Sequence, residues 1–252
     1  MTPTLPLTSG YAATRTGPRH PVNEDQFRCL DADHPLVTRL RRGVLYAVAD
    51  GVSSTPRGRH AAEVGCARIE SFYDSFTPPR VESLVQLVSE IDWELREERK
   101  GDAACTMSIL WLAHGQATVV HVGDSQVYRV RDGDVERITR ESKGRGLGAF
   151  VGMGPRVADA LQIWSEPVHE GDLFVLVTDG VTEVVQPAEI LEMWWTCAGS
   201  PRRTAEGLIA EVDRRGGSDD ATALVVDVLA VDLVVPDEAR GAEAVIQATK
   251  QG

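Results

Sequence analysis

The sequence predicts an α+β fold in which helices are layered on mainly antiparallel β-sheets. Two observations carry that expectation: helical segments come in pairs, and runs of short β-forming segments lie between the pairs. The first pair is expected over about Arg57–Phe76 and Val81–Lys100. In the second of these, Leu84, Leu87, Val88, Ile91 and Leu95 recur at three- and four-residue spacing with Glu and Arg on the other face, so one stripe covers a core. A similar pair is expected over Ala188–Cys197 and Arg203–Arg215, with Pro187 and Pro201 near the starts, where a missing N–H costs least.

The intervening strands are expected at Val44–Ala49, Met107–Leu112, Ala117–Val122, Val127–Arg131, Leu173–Thr178 and Ala223–Val228, all rich in β-forming residues. Arg131-Asp132-Gly133-Asp134 separates Val127–Val130 from Val135–Ile138 and reads as a hairpin turn in which glycine accepts a positive φ.

The chain has 252 residues, 42% hydrophobic and 25% charged, enough to bury a sizeable core. No Pro/Gly/Ser-rich linker or charge block divides it, so a single domain is expected over 1–233, followed by a polar C-terminal tail at 234–252. The formal charge of −12 disfavours nucleic-acid and anionic-membrane partners, which rely on clustered Lys and Arg. An acidic chain that binds phosphate needs a local positive charge, either arginine or a bound cation. Cys29, Cys66, Cys105 and Cys197 lie far apart with no C-x-x-C pair, which suggests neither a zinc site nor a disulfide framework. Reduced thiols, no apolar run of membrane-spanning length and no signal-like N-terminus lead to the expectation of a cytoplasmic monomer.

The informative pattern is where the apolar strands stop. Val44–Ala49 ends at Asp50-Gly51, Val119–Val122 at Gly123-Asp124-Ser125, and Phe174–Thr178 at Asp179-Gly180, while Asp219-Asp220 stands just before the last strand. A carboxylate beside a buried strand is costly to keep ionised unless it is paired or bound to a cation. If these ends converge, they form an all-oxygen cluster suited to magnesium or manganese, whereas zinc favours His and Cys ligands. A lone Asp-Gly after a strand is usually only a turn, and Asp132-Gly133, among charged neighbours, illustrates that bland case.

Five segments then occur in a recognisable order: Asn23-Glu24-Asp25, Val48-Ala49-Asp50-Gly51, Val122-Gly123-Asp124-Ser125, Val177-Thr178-Asp179-Gly180 and Gly217-Ser218-Asp219-Asp220-Ala221-Thr222. In that order the chain resembles the metal-dependent protein phosphatases of type 2C, in their compact bacterial form, from about Tyr11 to Val228. The resemblance implies a four-layer αββα sandwich, with two central sheets packed face to face and a helix pair on each outer side. It implies two Mn²⁺ or Mg²⁺ ions bridged by Asp50, with the Gly51 carbonyl on one, Asp179 and Asp219 on the other, and Glu24 and Asp25 acting mainly through metal-bound water. Bacterial members often hold a third ion, which the resemblance assigns to Asp124 and to Glu183, where an aspartate is commoner. Two adjacent ions lower the pKa of a bridging water, and the resulting hydroxide attacks phosphorus in line without a phospho-enzyme.

A guanidinium adds bidentate contact to phosphate. Arg19 is the candidate by its place before Asn23-Glu24-Asp25, in a register loose by about one residue, with Arg15 as the alternative. Val52 stands where eukaryotic members often have a histidine that protonates the leaving oxygen, and His60 is expected on the following helix as a surface or packed residue. Asp220 stands where the family usually has asparagine. The connection Thr139–Phe150 replaces a longer flap and carries Arg140, Lys143 and Arg145, either a basic strip for a phosphopeptide or an ordinary solvated loop. The implied partners are proteins phosphorylated on serine or threonine, with a Ser/Thr kinase as counterpart. The competing readings are a non-catalytic phosphoprotein-binding module and a small-molecule phosphomonoesterase.

Overall fold

A computed structural model describes residues 5–74, 79–99, 102–140 and 148–231. In chain order its strands are β1 (Leu7–Arg15), β2 (Asp25–Leu30), β3 (Val44–Asp50), β4 (Met107–Ala113), β5 (Gln116–Val122), β6 (Gln126–Arg131), β7 (Asp134–Arg137), β8 (Gln162–Pro167), β9 (Leu173–Val177) and β10 (Ala221–Ala230). The helices are α1 (Pro35–Leu40), α2 (Gly58–Arg68), α3 (Ser71–Asp74), α4 (Val81–Arg99), α5 (Val157–Ala160), α6 (Asp179–Thr182), α7 (Pro187–Thr196) and α8 (Pro201–Arg214). The strands make two sheets, ordered β1-β10-β9-β6-β7 and β2-β3-β4-β5-β8. Neighbours in both are antiparallel, as the sequence led one to expect.

Period-two alternation places the core. Along β9 and β10, Phe174, Leu176, Leu224, Val226 and Val228 join the core that holds β3 and β4. Their sequence neighbours Val175, Val177, Ala223 and Val225 face the other way, against Ala205, Leu208 and Val212 of α8. On the far side α2 lies on β2 and β3, and α4 packs on α2. The α4 stripe of Leu84, Leu87, Val88, Ile91 and Leu95 is buried as its spacing predicts, each such side chain stabilising the fold by ~1.5–3 kcal/mol relative to exposure.

The segment read as one helix over Arg57–Phe76 is interrupted. α2 ends at Arg68 and α3 begins at Ser71. The Ser71 hydroxyl donates to the Arg68 carbonyl at 2.6 Å, and the amides of Phe72 and Tyr73 bond three residues back. Tertiary anchors beyond the break favour it: Tyr73 Oη donates to the Gly43 carbonyl at 2.9 Å, and Phe72 meets Trp111 edge-on. The Asp132-Gly133 turn forms as expected, with φ of 53° and 86° at its two central residues. No helix of the described residues is long and apolar enough to cross a membrane. The expected tail at 234–252 and most of the connection, 141–147, fall outside the described residues. Arg140 is described: its backbone N–H donates to Gln162 Oε1 at 2.8 Å and its carbonyl accepts from Gln162 Nε2 at 2.5 Å.

One ion pair carries a stability prediction. The fully buried Asp172 carboxylate accepts from Arg131 Nε and Nη2, both at 2.6 Å, and from the His169 amide at 2.8 Å. Arg131→Ala leaves that charge buried without its cation. The expected loss is ~3 kcal/mol, read as a lower urea midpoint at unchanged slope. An unchanged midpoint would show that solvent reaches Asp172.

Candidate metal centre

Asp50 closes β3 in cross-strand register with Asp25, the first residue of β2, so the two carboxylates start side by side. Thr106, just before β4, holds the Asp50 backbone at both polar ends. Its amide donates to the Asp50 carbonyl at 2.8 Å and its hydroxyl accepts from the Asp50 amide at 3.0 Å. The same hydroxyl lies 2.8 Å from Ser125 Oγ, next to Asp124. The Gly123-Asp124 turn is braced by the fully buried His121, whose Nε2 lies 3.2 Å from the Gly123 carbonyl and whose Nδ1 lies 2.8 Å from Ser108 Oγ. Burial holds that imidazole down at about 4, so it is neutral at physiological pH.

Asp179 reaches the same place from the other sheet, as the first residue of α6 after β9. The preceding Thr178 ties the two sheets together: its hydroxyl donates to Asp25 Oδ2 at 2.8 Å and accepts from the Thr222 amide at 2.9 Å. Asp50, Asp124 and Asp179 each offer a carboxylate oxygen within 4.8 Å of the others. With Asp219, Gly51, Val52, Ser53 and Thr106 they line a cavity of about 120 Å³.

Such a group of like charges is unfavourable without a cation. Burial, then the charges of Asp25, Asp179 and Asp124, raise Asp50 well above the ordinary carboxylate range. Burial, then Asp124, Asp219 and Glu183, raise Asp179 to about 6. Asp25 is raised to about 7 by burial and by the charges of Asp220 and Asp179, against the hydrogen bonds of Thr222 and Thr178. Asp25 Oδ1 and Glu24 Oε2 are buried and have no hydrogen-bond partner among the described residues. The raised carboxylates of Asp50 and Asp179 in this cavity, with the unpartnered buried oxygens of Asp25, beside Asp50 across the strand pair, and of Glu24 next to it in sequence, make an all-oxygen donor set that fits hard divalent cations such as Mn²⁺ or Mg²⁺.

The remaining candidates are placed as follows. Glu24 accepts the Gly51 amide on its carbonyl at 3.2 Å. Glu183 caps α6 with an exposed side chain and lies outside the close group, although its charge acts on Asp179. Arg19 Nη1 is 3.3 Å from Asp219 Oδ2, with 58% of its side chain exposed. Arg15 is engaged with the chain itself, pairing with Asp213 and donating to the carbonyls of Gly217 at 2.5 Å and Asp219 at 3.1 Å. His60 lies on α2, half-buried. The roles of Thr106, Thr178 and Asp220 in holding these groups had no signal in local spacing, because each acts across the fold. His20 meets Asp219 and Asp220, although it is 200 positions from Asp220, a grouping that no local spacing in the sequence announces.

A curated relative, the serine/threonine protein phosphatase PstP of Mycobacterium tuberculosis, is 25% identical over an alignment of 218 positions that covers 75% of this chain and 41% of the relative. This chain thus spans well under half the length of that relative. Among solved structures, the PPM Ser-Thr phosphatase MsPP of Mycobacterium smegmatis in complex with cacodylate is 25% identical with a TM-score of 0.71, covering 87% of this chain and 98% of that one. The catalytic domain of PstP in complex with two manganese ions superposes with a TM-score of 0.73 at 21% identity, over 88% of this chain and 99% of that one, a likeness of fold. Residues 16–210, more than half of the sequence and all of the segment from Arg19 to Glu183, match the model for protein phosphatase 2C, and the chain belongs to that family.

Proposed function

We propose that this chain is a divalent-metal-dependent phosphatase acting on phosphoserine and phosphothreonine of proteins, the counterpart of a Ser/Thr kinase. The observation that carries this reading is the meeting of Asp50, Asp124 and Asp179 within 4.8 Å, from ends of both sheets. Asp50, the Gly51 carbonyl, Asp179 and Asp219 would hold two ions, with Glu24 and Asp25 behind them. Asp124, alone or with Glu183, would serve a third. When bound, the ions supply the positive charge that ionises water near neutral pH and offsets the charge of a phosphoryl group.

The chain's own residues do the rest. Thr106 fixes the Asp50 backbone and Thr178, from the other sheet, the Asp25 carboxylate, so little rearrangement accompanies ligand entry. The cavity, about 120 Å³, admits a phosphoryl group and leaves the rest of a protein substrate outside. Arg19 stands at its lip beside Asp219, where its guanidinium can take two phosphate oxygens. Val52 lines the cavity where a proton-donating side chain could have stood, so the leaving seryl oxygen takes its proton from solvent.

The test is hydrolysis of p-nitrophenyl phosphate and of a phosphothreonine peptide by the full chain, with Mn²⁺ and after EDTA. Turnover of both, dependent on manganese, is expected, and Arg19→Ala should raise KM about tenfold with a smaller effect on kcat. Robust activity in EDTA would remove the metal mechanism. A folded, manganese-loaded protein without turnover would favour a phosphoprotein-binding module, and turnover of the small ester alone a small-molecule phosphomonoesterase.

A further inference from the structure

We infer that Asp220 and His20 form a positioning pair that sets the Arg19 guanidinium at the mouth of the acidic cavity. This rests on the reading of Arg19 as the phosphate-binding arginine.

The segment between β1 and β2 carries both Arg19 and Glu24, and it is gripped from below by one carboxylate. Asp220, only 3% exposed, accepts the Gly17 amide on Oδ1 at 2.7 Å. Its Oδ2 takes the Glu24 amide at 2.8 Å and His20 Nδ1 at 2.9 Å. Since the carboxylate only accepts, the imidazole presents Nδ1–H to it, whatever the state of the other ring nitrogen. The segment lies flush on the turn it grips. A Cβ at Gly17 would stand 2.2 Å from the carbonyl carbon of Asp219 and 2.6 Å from the Asp220 nitrogen. The same two-residue turn orients Asp219, whose Oδ1 accepts the Asp220 amide at 2.9 Å.

Arg19 has little else to place it. Among the described residues its side chain makes one 3.3 Å contact, to Asp219, and is otherwise largely in solvent. Where it stands is therefore decided by the backbone beneath it, and Asp220 holds that backbone on both sides of Arg19, at Gly17 and Glu24, and also the side chain of the adjacent His20. The backbone N–H groups of Gly17 and Glu24 and the imidazole N–H of His20 converge as three donors on the Asp220 side chain. A carboxylate has two oxygens to receive them, whereas an amide has one.

The experiment measures KM and kcat for p-nitrophenyl phosphate, and the Kd of inorganic phosphate, with the manganese-loaded full chain. Wild type is compared with Arg19→Ala, His20→Ala, His20→Asn, Asp220→Asn and the His20→Ala/Asp220→Asn double variant. Manganese affinity and melting temperature are recorded for each. His20→Ala is the fold-safe variant, since it trims a loop side chain. Arg19→Ala, His20→Ala and Asp220→Asn are each expected to raise KM and phosphate Kd about tenfold while kcat stays within about threefold. The double variant should be no worse than Asp220→Asn alone, and His20→Asn, whose amide can still donate to Asp220, should recover most of the loss.

Wild-type KM and phosphate affinity in His20→Ala and Asp220→Asn, with both impaired in Arg19→Ala, would overturn the positioning pair and leave the phosphate-binding arginine standing. Losses that add in the double variant, or weakened manganese binding as the sole defect of Asp220→Asn, would also overturn it. No effect of Arg19→Ala would remove the arginine assignment and this inference together.

Discussion

Asp50→Asn is expected to lower manganese-dependent turnover by at least about a thousandfold, with Asp179→Asn close behind. Both carboxylates sit in the close acidic group, one on each sheet, and an amide at either position removes a charged ligand while keeping the shape. The same substitutions should leave the metal-free protein at least as stable as wild type. Burial and three neighbouring carboxylates oppose ionisation of Asp50, so a neutral side chain there relieves repulsion. Lost catalysis with undiminished metal-free stability cannot come from misfolding. Melting curves in EDTA beside initial rates in Mn²⁺ provide the check, and wild-type rates in both variants would sink the two-metal mechanism.

The second large effect is a pH-dependent stabilisation by metal. Folding raises Asp25 to about 7 and Asp179 to about 6. For such a carboxylate the native state binds more protons than the unfolded chain between its unfolded and folded pKa. Stability is thus full at about pH 4 and is lost as pH rises through about 6 to 7. The metal-free protein should accordingly melt lower at pH 8 than at pH 5, unlike one whose carboxylates are held by arginines. Divalent cations replace the missing protons, so millimolar Mn²⁺ should raise Tm by roughly 5–10 °C at pH 8 and much less at pH 5. A manganese shift equal at both pH values would mean that the ion binds elsewhere.

The strands legible in the sequence were those with neighbours on both sides, together with the edge strand β7, which the Asp132-Gly133 hairpin turn revealed. β3, β4, β5, β6, β9 and β10 occupy the interior of the two sheets, and all but β6, which Arg129 and Arg131 interrupt, show as largely apolar runs because both of their faces are covered. β1, β2 and β8 were not drawn as strands. All three are edge strands, and β8 alternates half-buried and exposed residues along Gln-Ile-Trp-Ser-Glu-Pro, a pattern with no apolar run. The break between α2 and α3 was likewise hidden, because the contacts of Phe72 and Tyr73 that favour it lie at Trp111 and Gly43.

The site divides along the same line. By itself the sequence determined that apolar strands end in aspartates, in an order shared with a known family, because the termination of a buried run is local and the motif is short. Which aspartates meet was decided by tertiary structure, through Asp25 facing Asp50 across a strand pair and Thr178 bonding from one sheet to the other. The surroundings of the two arginines come from the tertiary structure too: Arg15 is bound to Asp213 and two carbonyls, while Arg19 is largely exposed and meets only Asp219 among the described residues. Asp220 receives its three donors from a segment about two hundred positions away, and hydrogen bonds over such separations leave no periodicity in a chain. They exist only once the two sheets have brought both ends of the protein to one place.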